Sequence, residues 1–300
     1  MANKKEYIDL DKLIERTEPL LHASYRYHLE RLKYNSNEQY IDSSLIETAE
    51  YNVKEIRSLL GGVPELLILG RDEDKPFYDT YVDSMINELI FSIKKSYDTM
   101  VQVMLYRRIE YFSRYYEDQK LADLLVDTYK KEFWSHLEMA YIRLASTWDR
   151  IGRLLDFVYF NIRQYDKDGY LSTIQKINVN LIPMSVQLRE SNAWKKVWDY
   201  SKSESVNGLK WLLSRRNLIV HQISLQEIEY FDVEDTEFYN SEHNHILENT
   251  VKKKLKPMSP NEEVTHLKKH IEITLELFED IKELCNLGTE LIPKLNNSTR

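Results

Sequence analysis

The stretch Ser214-Arg215-Arg216-Asn217-Leu218-Ile219-Val220-His221 holds the side chains best suited to chemistry. A guanidinium offers phosphate oxygens a fixed fork of donors. An imidazole, with an ordinary pKa near 6.5, exchanges a proton at neutral pH. Arg216 and His221 together therefore suit a phosphodiester. Their spacing is five residues, which on a straight helix turns them about 140° apart. Asn217 and His221 are four apart and share a face. Convergence of Arg216 and His221 on one ligand then requires a helix end, a bend, or a second copy of the chain. A structural reading also exists: Arg215 and Arg216 as the cationic end of a helix, and His221 as a cap or a core histidine. Spacing alone does not separate the two, because 16 arginines and 8 histidines in 300 residues give about 0.4 occurrences of any one spacing.

Other constellations read as structural. His266 and His270 lie one turn apart, with Glu262 a turn earlier, but Leu267-Lys268-Lys269 between them lacks the glutamate of a zincin helix, so a solvated helix face is the expectation. His243 and His245 fall in an irregular stretch. No metal and no cofactor is expected. From Leu105 to Lys120, Tyr106, Arg107, Arg108, Tyr111, Phe112, Arg114, Tyr115 and Tyr116 alternate aromatic and basic character. Such a run can stack bases, but a core helix with an arginine-bearing edge has the same pattern. The chain has no P-loop, no dinucleotide fingerprint and no G-x-S-x-G, and Cys285, its single cysteine, cannot form an intrachain disulfide.

The elements that must position these residues are helical. Seven glycines and seven prolines stand where average usage would give about 21 and 15. That shortage argues against a turn-rich β-sandwich or barrel. Apolar residues make up 42%, enough for a core, and the mean hydropathy of −0.54 fits a soluble chain. A net charge of −8 excludes a generally basic nucleic-acid coat but not a local basic pocket. Residues 1–21 alternate charges and lack the apolar core of a signal peptide. The longest aliphatic run, Leu66-Leu67-Ile68-Leu69, is far below the ~20 residues of a membrane span. A cytoplasmic chain is the expectation.

Apolar spacing predicts helices over Leu10–Leu32, from a cap at Asp42-Ser43-Ser44 through Leu60, and from Pro76 toward Tyr116. An interruption at Glu117-Asp118-Gln119 precedes further helix from Leu121. Tyr141, Leu144, Ala145, Trp148, Ile151, Gly152, Leu155, Val158 and Tyr159 form one apolar stripe. Ser146, Asp149, Arg150, Arg153 and Asp156 lie off it or at its border. Residues 170–185 read as a connector. Helices follow over Val186–Tyr200 and Ser205–Val220, then an irregular excursion over 225–260, then a last helix from Asn261 toward Leu287.

Arg216-Asn217-Leu218-Ile219-Val220-His221 resembles the signature of the HEPN superfamily (higher eukaryotes and prokaryotes nucleotide-binding domains). That signature is an arginine, four to six residues, and a histidine. The helix carrying Thr147-Trp148-Asp149-Arg150-Ile151-Gly152-Arg153-Leu154-Leu155 is similar to the polar-residue helix beside it in such domains. The resemblance covers about residues 131–290, and nothing comparable is found in 1–130. It implies an all-α fold: an antiparallel helical bundle over 131–300, with 1–130 as a helical elaboration that packs separately or as part of one domain. It also implies a metal-independent endoribonuclease acting on RNA at a homodimer interface. Arg216 would hold the scissile phosphate and His221 would transfer protons. Asn217 and Asp149 would support them, with Arg215 and Arg153 on substrate. Toxin or phage-defence roles, with a neutralising partner protein, are common in the family. Gln222 and Ile223 stand where many members have glycine and an aromatic. The family also includes non-catalytic nucleotide-binding or RNA-binding modules. From the residues alone, a helical interaction protein anchored by Trp194, Trp198 and Trp211 remains a further reading, and it requires a buried His221.

Overall fold

A computed structural model describes residues 41–61, 75–114, 119–160, 169–221, 224–226 and 258–298. Among them the chain is all-helical, with no strand. The elements are α1 (Ser43–Gly61), α2 (Lys75–Ser113), α3 (Gln119–Phe160), α4 (Tyr170–Asn180), α5 (Val186–Glu190), α6 (Asn192–Lys202), α7 (Leu209–His221) and α8 (Pro260–Ser298). The helix expected over 10–32, the loop after Gly61, His243, His245 and nearly all of the 225–260 excursion lie outside the described residues.

Helix ends follow local chemistry. Asp42 starts α1, its carboxylate accepting the Ser44 N–H at 2.9 Å. At α8, Ser259 accepts the Glu262 N–H while the Glu262 carboxylate accepts the Ser259 N–H at 2.8 Å. This is a capping box, with Pro260 at the first helical position. The 170–185 connector is corrected: α4 fills most of it. Tyr170, Thr173, Ile174 and Ile177 have three-and-four spacing and are all buried, so packing overrides the low helix propensity of a β-branched run. The single helix expected over 186–200 is two, because the Ser191 hydroxyl accepts the Trp194 N–H and restarts the chain as α6.

Among the described residues, 41–100 and those from 134 onward form one compact unit, and 101–133 belong to another. One boundary of this division falls at 133/134, and 41–100 groups with the C-terminal half. Lys282 of α8 donates to Asn52 of α1 at 2.7 Å, and Arg143 of α3 to Thr99 of α2 at 3.0 Å. In the larger unit the apolar stripe of α3 is buried as read, but Asp156 is not a border residue: it is buried and paired with Lys176 of α4. In the smaller unit, Leu125 and Tyr129 are buried against Leu105 and Tyr106. There Glu110 is buried and takes hydrogen bonds from both Arg107 and Arg114. Those two arginines of the aromatic-basic run are matched by a carboxylate on their own helix.

The larger unit is not antiparallel throughout. Tyr141 bonds to Glu263, Trp148 Nε1 to Thr274 and the Tyr159 hydroxyl to the Leu284 carbonyl. Both number series rise together, so α3 and α8 run in the same direction. Ser191–Glu283, Lys196–Asp280 and Tyr200–His270 rise against fall, so α6 runs against α8. Four helices separate α3 from α8 in sequence, so direct neighbours need not alternate in direction.

Close approach explains two glycines. An added Cβ at Gly152 of α3 would sit 2.5 Å from Tyr170 Cα, and one at Gly288 of α8 would sit 2.4 Å from Val158 Cγ1. The Gly152→Ala variant is therefore expected to lose about 1–3 kcal/mol by overpacking against the α4 backbone. Urea unfolding checks this; unchanged stability would mean that α4 does not rest on Gly152.

Candidate functional site

The motif helix α7 buries Leu209, Leu212, Arg215 and Leu218, a three-residue spacing that gives it one inward edge. Arg215 is the charged member of that edge. Its side chain is 5% exposed and is paired with the Glu263 carboxylate of α8, which is fully buried. The Tyr141 hydroxyl of α3 lies 2.8 Å from the same carboxylate and donates to it. The Arg215 guanidinium also lies over the Trp211 ring, 6.0 Å from its centroid. Three helices thus meet at one charged cluster, and Arg215 is a packing residue there.

Arg216, one position on, is half-buried, while Asn217 and His221 are exposed. Helix α7 runs without a break to His221, so Arg216 and His221 diverge as a straight helix dictates. Asn217 spans the gap. Its side-chain oxygen accepts Arg216 Nη1 at 2.9 Å, and it lies one turn before His221 on the same face. Because arginine only donates, the Asn217 oxygen is turned to Arg216 and its amide nitrogen is left for another acceptor. The result is a polar, solvent-facing edge of guanidinium, amide and imidazole at the helix end. It can meet an anion and exchange a proton.

Asp149 and Arg153 stand elsewhere on α3. The Asp149 carboxylate lies beside Gly169, where a Cβ would be 3.3 Å from Oδ1. Gly169 begins α4 and supplies no side-chain cap, so Asp149 places negative charge at a helix N-terminus. The part of α3 level with α7 is Glu138 and Tyr141, through Leu225 and Glu263. Asp149 is eight residues past Tyr141, about 12 Å along the axis. Arg153 is exposed one turn further. Within one chain the structure joins Arg216 to Asn217, leaves His221 one turn beyond Asn217 on the same helix, and does not bring Asp149 or Arg153 to them.

His270 of α8 does not lie on a solvated face as expected: it is buried and serves packing. His270 Nε2 lies 2.9 Å from the Val206 carbonyl, and a carbonyl only accepts, so that nitrogen carries the proton. Nδ1 accepts the Tyr200 hydroxyl at 3.0 Å, and the ring stacks on Trp211. With both nitrogens taken, His270 offers no lone pair to a metal, and the described residues hold no group of three ligating side chains. Burial pulls its pKa down to about 4. The unfolded chain therefore binds a proton that the folded chain refuses between pH 6.5 and 4. Stability should fall by about 2 kcal/mol from pH 7 to pH 5 through this group alone. Urea titrations of wild type and His270→Gln at both pH values test this; equal pH slopes in the two would contradict it.

Sequence reasoning missed Glu263 and Glu138. Glu263 lies in the acidic first turn of α8 beside Glu262. Its three-and-four spacing to Leu267, His270 and Thr274, all buried, is the signal that puts it on the inner face of α8.

No protein-family model, no curated protein sequence and no solved structure matches this chain. Its functional reading therefore rests on its own residues. Among those described, no helix is long and apolar enough to cross a membrane.

Proposed function

We propose that the chain is a metal-independent endoribonuclease of the HEPN type, with Arg216 and His221 as its catalytic residues and Asn217 as their bridge. The observation that carries this reading is the contrast between two adjacent arginines. Arg215 is sealed against Glu263, whereas Arg216 is held by a neutral amide on the exposed edge that carries His221. A helix serving packing alone expects a buried His221, and His221 is exposed.

The reaction needs no group that the edge lacks. A ribose 2′-hydroxyl attacks the adjacent phosphorus as an imidazole removes its proton. The phosphorus–5′-oxygen bond breaks, and the leaving oxygen takes a proton from an acid. Arg216 stabilises the charge gathered on the phosphate oxygens. One edge offers one imidazole, so separate base and acid call for a second copy of the chain, and a homodimer is the proposed working form. The net charge of −8 limits contact to a narrow site on RNA, with a shallow salt dependence. A toxin or phage-defence role, and a partner protein covering the edge, are compatible with an exposed catalytic edge.

End-group analysis tests the chemistry. RNA incubated with the protein in excess EDTA should carry 2′,3′-cyclic phosphate and 5′-hydroxyl ends. A 5′-phosphate product, or activity abolished by EDTA, would refute the mechanism.

A further inference from the structure

The described chain next to the motif resumes close to α3. Leu225, four residues on, is buried, and its backbone N–H donates to the Glu138 carboxylate of α3 at 2.5 Å. Glu138 lies one turn before Tyr141, which bonds to the Glu263 partner of Arg215. The exposed edge is thus bracketed. Arg215 anchors α7 six residues before His221, and Leu225 anchors the chain four residues after it. Both anchors end on acidic side chains, and both are served by the same stretch of α3.

We infer that Glu138 is a positioning residue, holding the chain that leaves α7 so that His221 keeps its place at the helix end. This goes beyond the catalytic roles and rests on them only for its effect on RNA. A bond from an amide to a carboxylate is charge-assisted and stronger than one to a neutral acceptor. Burial raises the pKa of Glu138, while the Leu225 N–H and the positive charge of Arg215 act to keep it ionised. Asp149, expected from resemblance as the polar partner on this helix, lies too far along α3 to do this.

The experiment compares full-length wild type, Glu138→Ala and Glu138→Gln by amide hydrogen exchange over 218–226, by NMR of the His221 ring, and by RNA cleavage kinetics. In Glu138→Ala, exchange at Leu225 should quicken about tenfold, the scale of one lost hydrogen bond. The His221 ring signal should shift, and kcat should fall with KM little changed. Glu138→Gln still accepts the Leu225 N–H and should restore the exchange rate and the ring signal. An unchanged His221 signal in a folded Glu138→Ala overturns the inference. Should that variant not fold, the Leu225 amide resonance of wild type decides: it should follow the titration of the Glu138 carboxylate, and indifference to it overturns the inference. Exchange and ring signals report even if wild type leaves RNA intact, an outcome that removes the ribonuclease reading alone.

Discussion

Glu263→Ala is expected to destabilise the protein strongly, lowering its melting temperature by about 10 °C. The alanine would leave the Arg215 guanidinium buried without its carboxylate and the Tyr141 hydroxyl without its acceptor. Removing one partner of a buried ion pair costs about 3–5 kcal/mol, and a domain of this size loses about 2–4 °C per kcal/mol. Two further variants separate charge from shape. Glu263→Gln keeps a hydrogen-bond acceptor and should lose less than alanine. The double variant Arg215→Met, Glu263→Leu removes both charges and should recover much of the loss, because a buried pair often contributes little over an apolar pair. Differential scanning fluorimetry of the four proteins tests this. A Glu263→Ala protein that melts with wild type would show that α3, α7 and α8 are not joined through this cluster.

His221→Ala and Arg216→Ala should leave folding intact and remove activity. His221 is exposed and the bond shown for Arg216 among the described residues is to the neutral Asn217 amide, so neither truncation is expected to open a cavity or strand a buried charge. Melting temperatures should stay within about 2 °C of wild type, as for surface substitutions. Loss of a proton-transfer group typically lowers the rate by about 10²–10⁴-fold, and loss of a charge-stabilising donor by about 10²–10³-fold. In the proposed mechanism both act on one phosphodiester, so the double variant should be little worse than the weaker single one. Asn217→Ala should fall between, since it frees Arg216 without removing a reacting group. Initial rates on labelled RNA at fixed ionic strength check the series.

The helices of this chain are mostly legible in its residues. The α3 stripe from Tyr141 to Tyr159, the start of α1 at Asp42 and the first turn of α8 all follow from spacing and caps, which are local. Reading failed where tertiary contacts decide. Helix α4 looked like a connector because Thr173, Ile174 and Ile177 are poor helix formers alone; their burial beneath α3 makes the difference. Ser191 splits one amphipathic run in two through a single hydroxyl. At the candidate site, adjacent and identical side chains differ only in direction. Arg215 and Arg216 are one residue apart and 100° apart in bearing, and that angle sends one to Glu263 and the other to Asn217. Asp149 and Glu138 are likewise two carboxylates of one helix, and only the return of the chain at Leu225 tells which of them lies level with the motif. Those pairings span 87 residues for Glu138–Leu225 and 48 for Arg215–Glu263, distances over which residue spacing carries no signal.

The most direct measurement is the cleavage rate of purified wild type beside His221→Ala in EDTA, with both shown by melting to be equally folded. Wild type should cut single-stranded RNA, and the alanine variant should be at least about a hundredfold slower. Equal rates in the two proteins, or intact RNA with both, would contradict the assignment of Arg216 and His221 to phosphodiester chemistry.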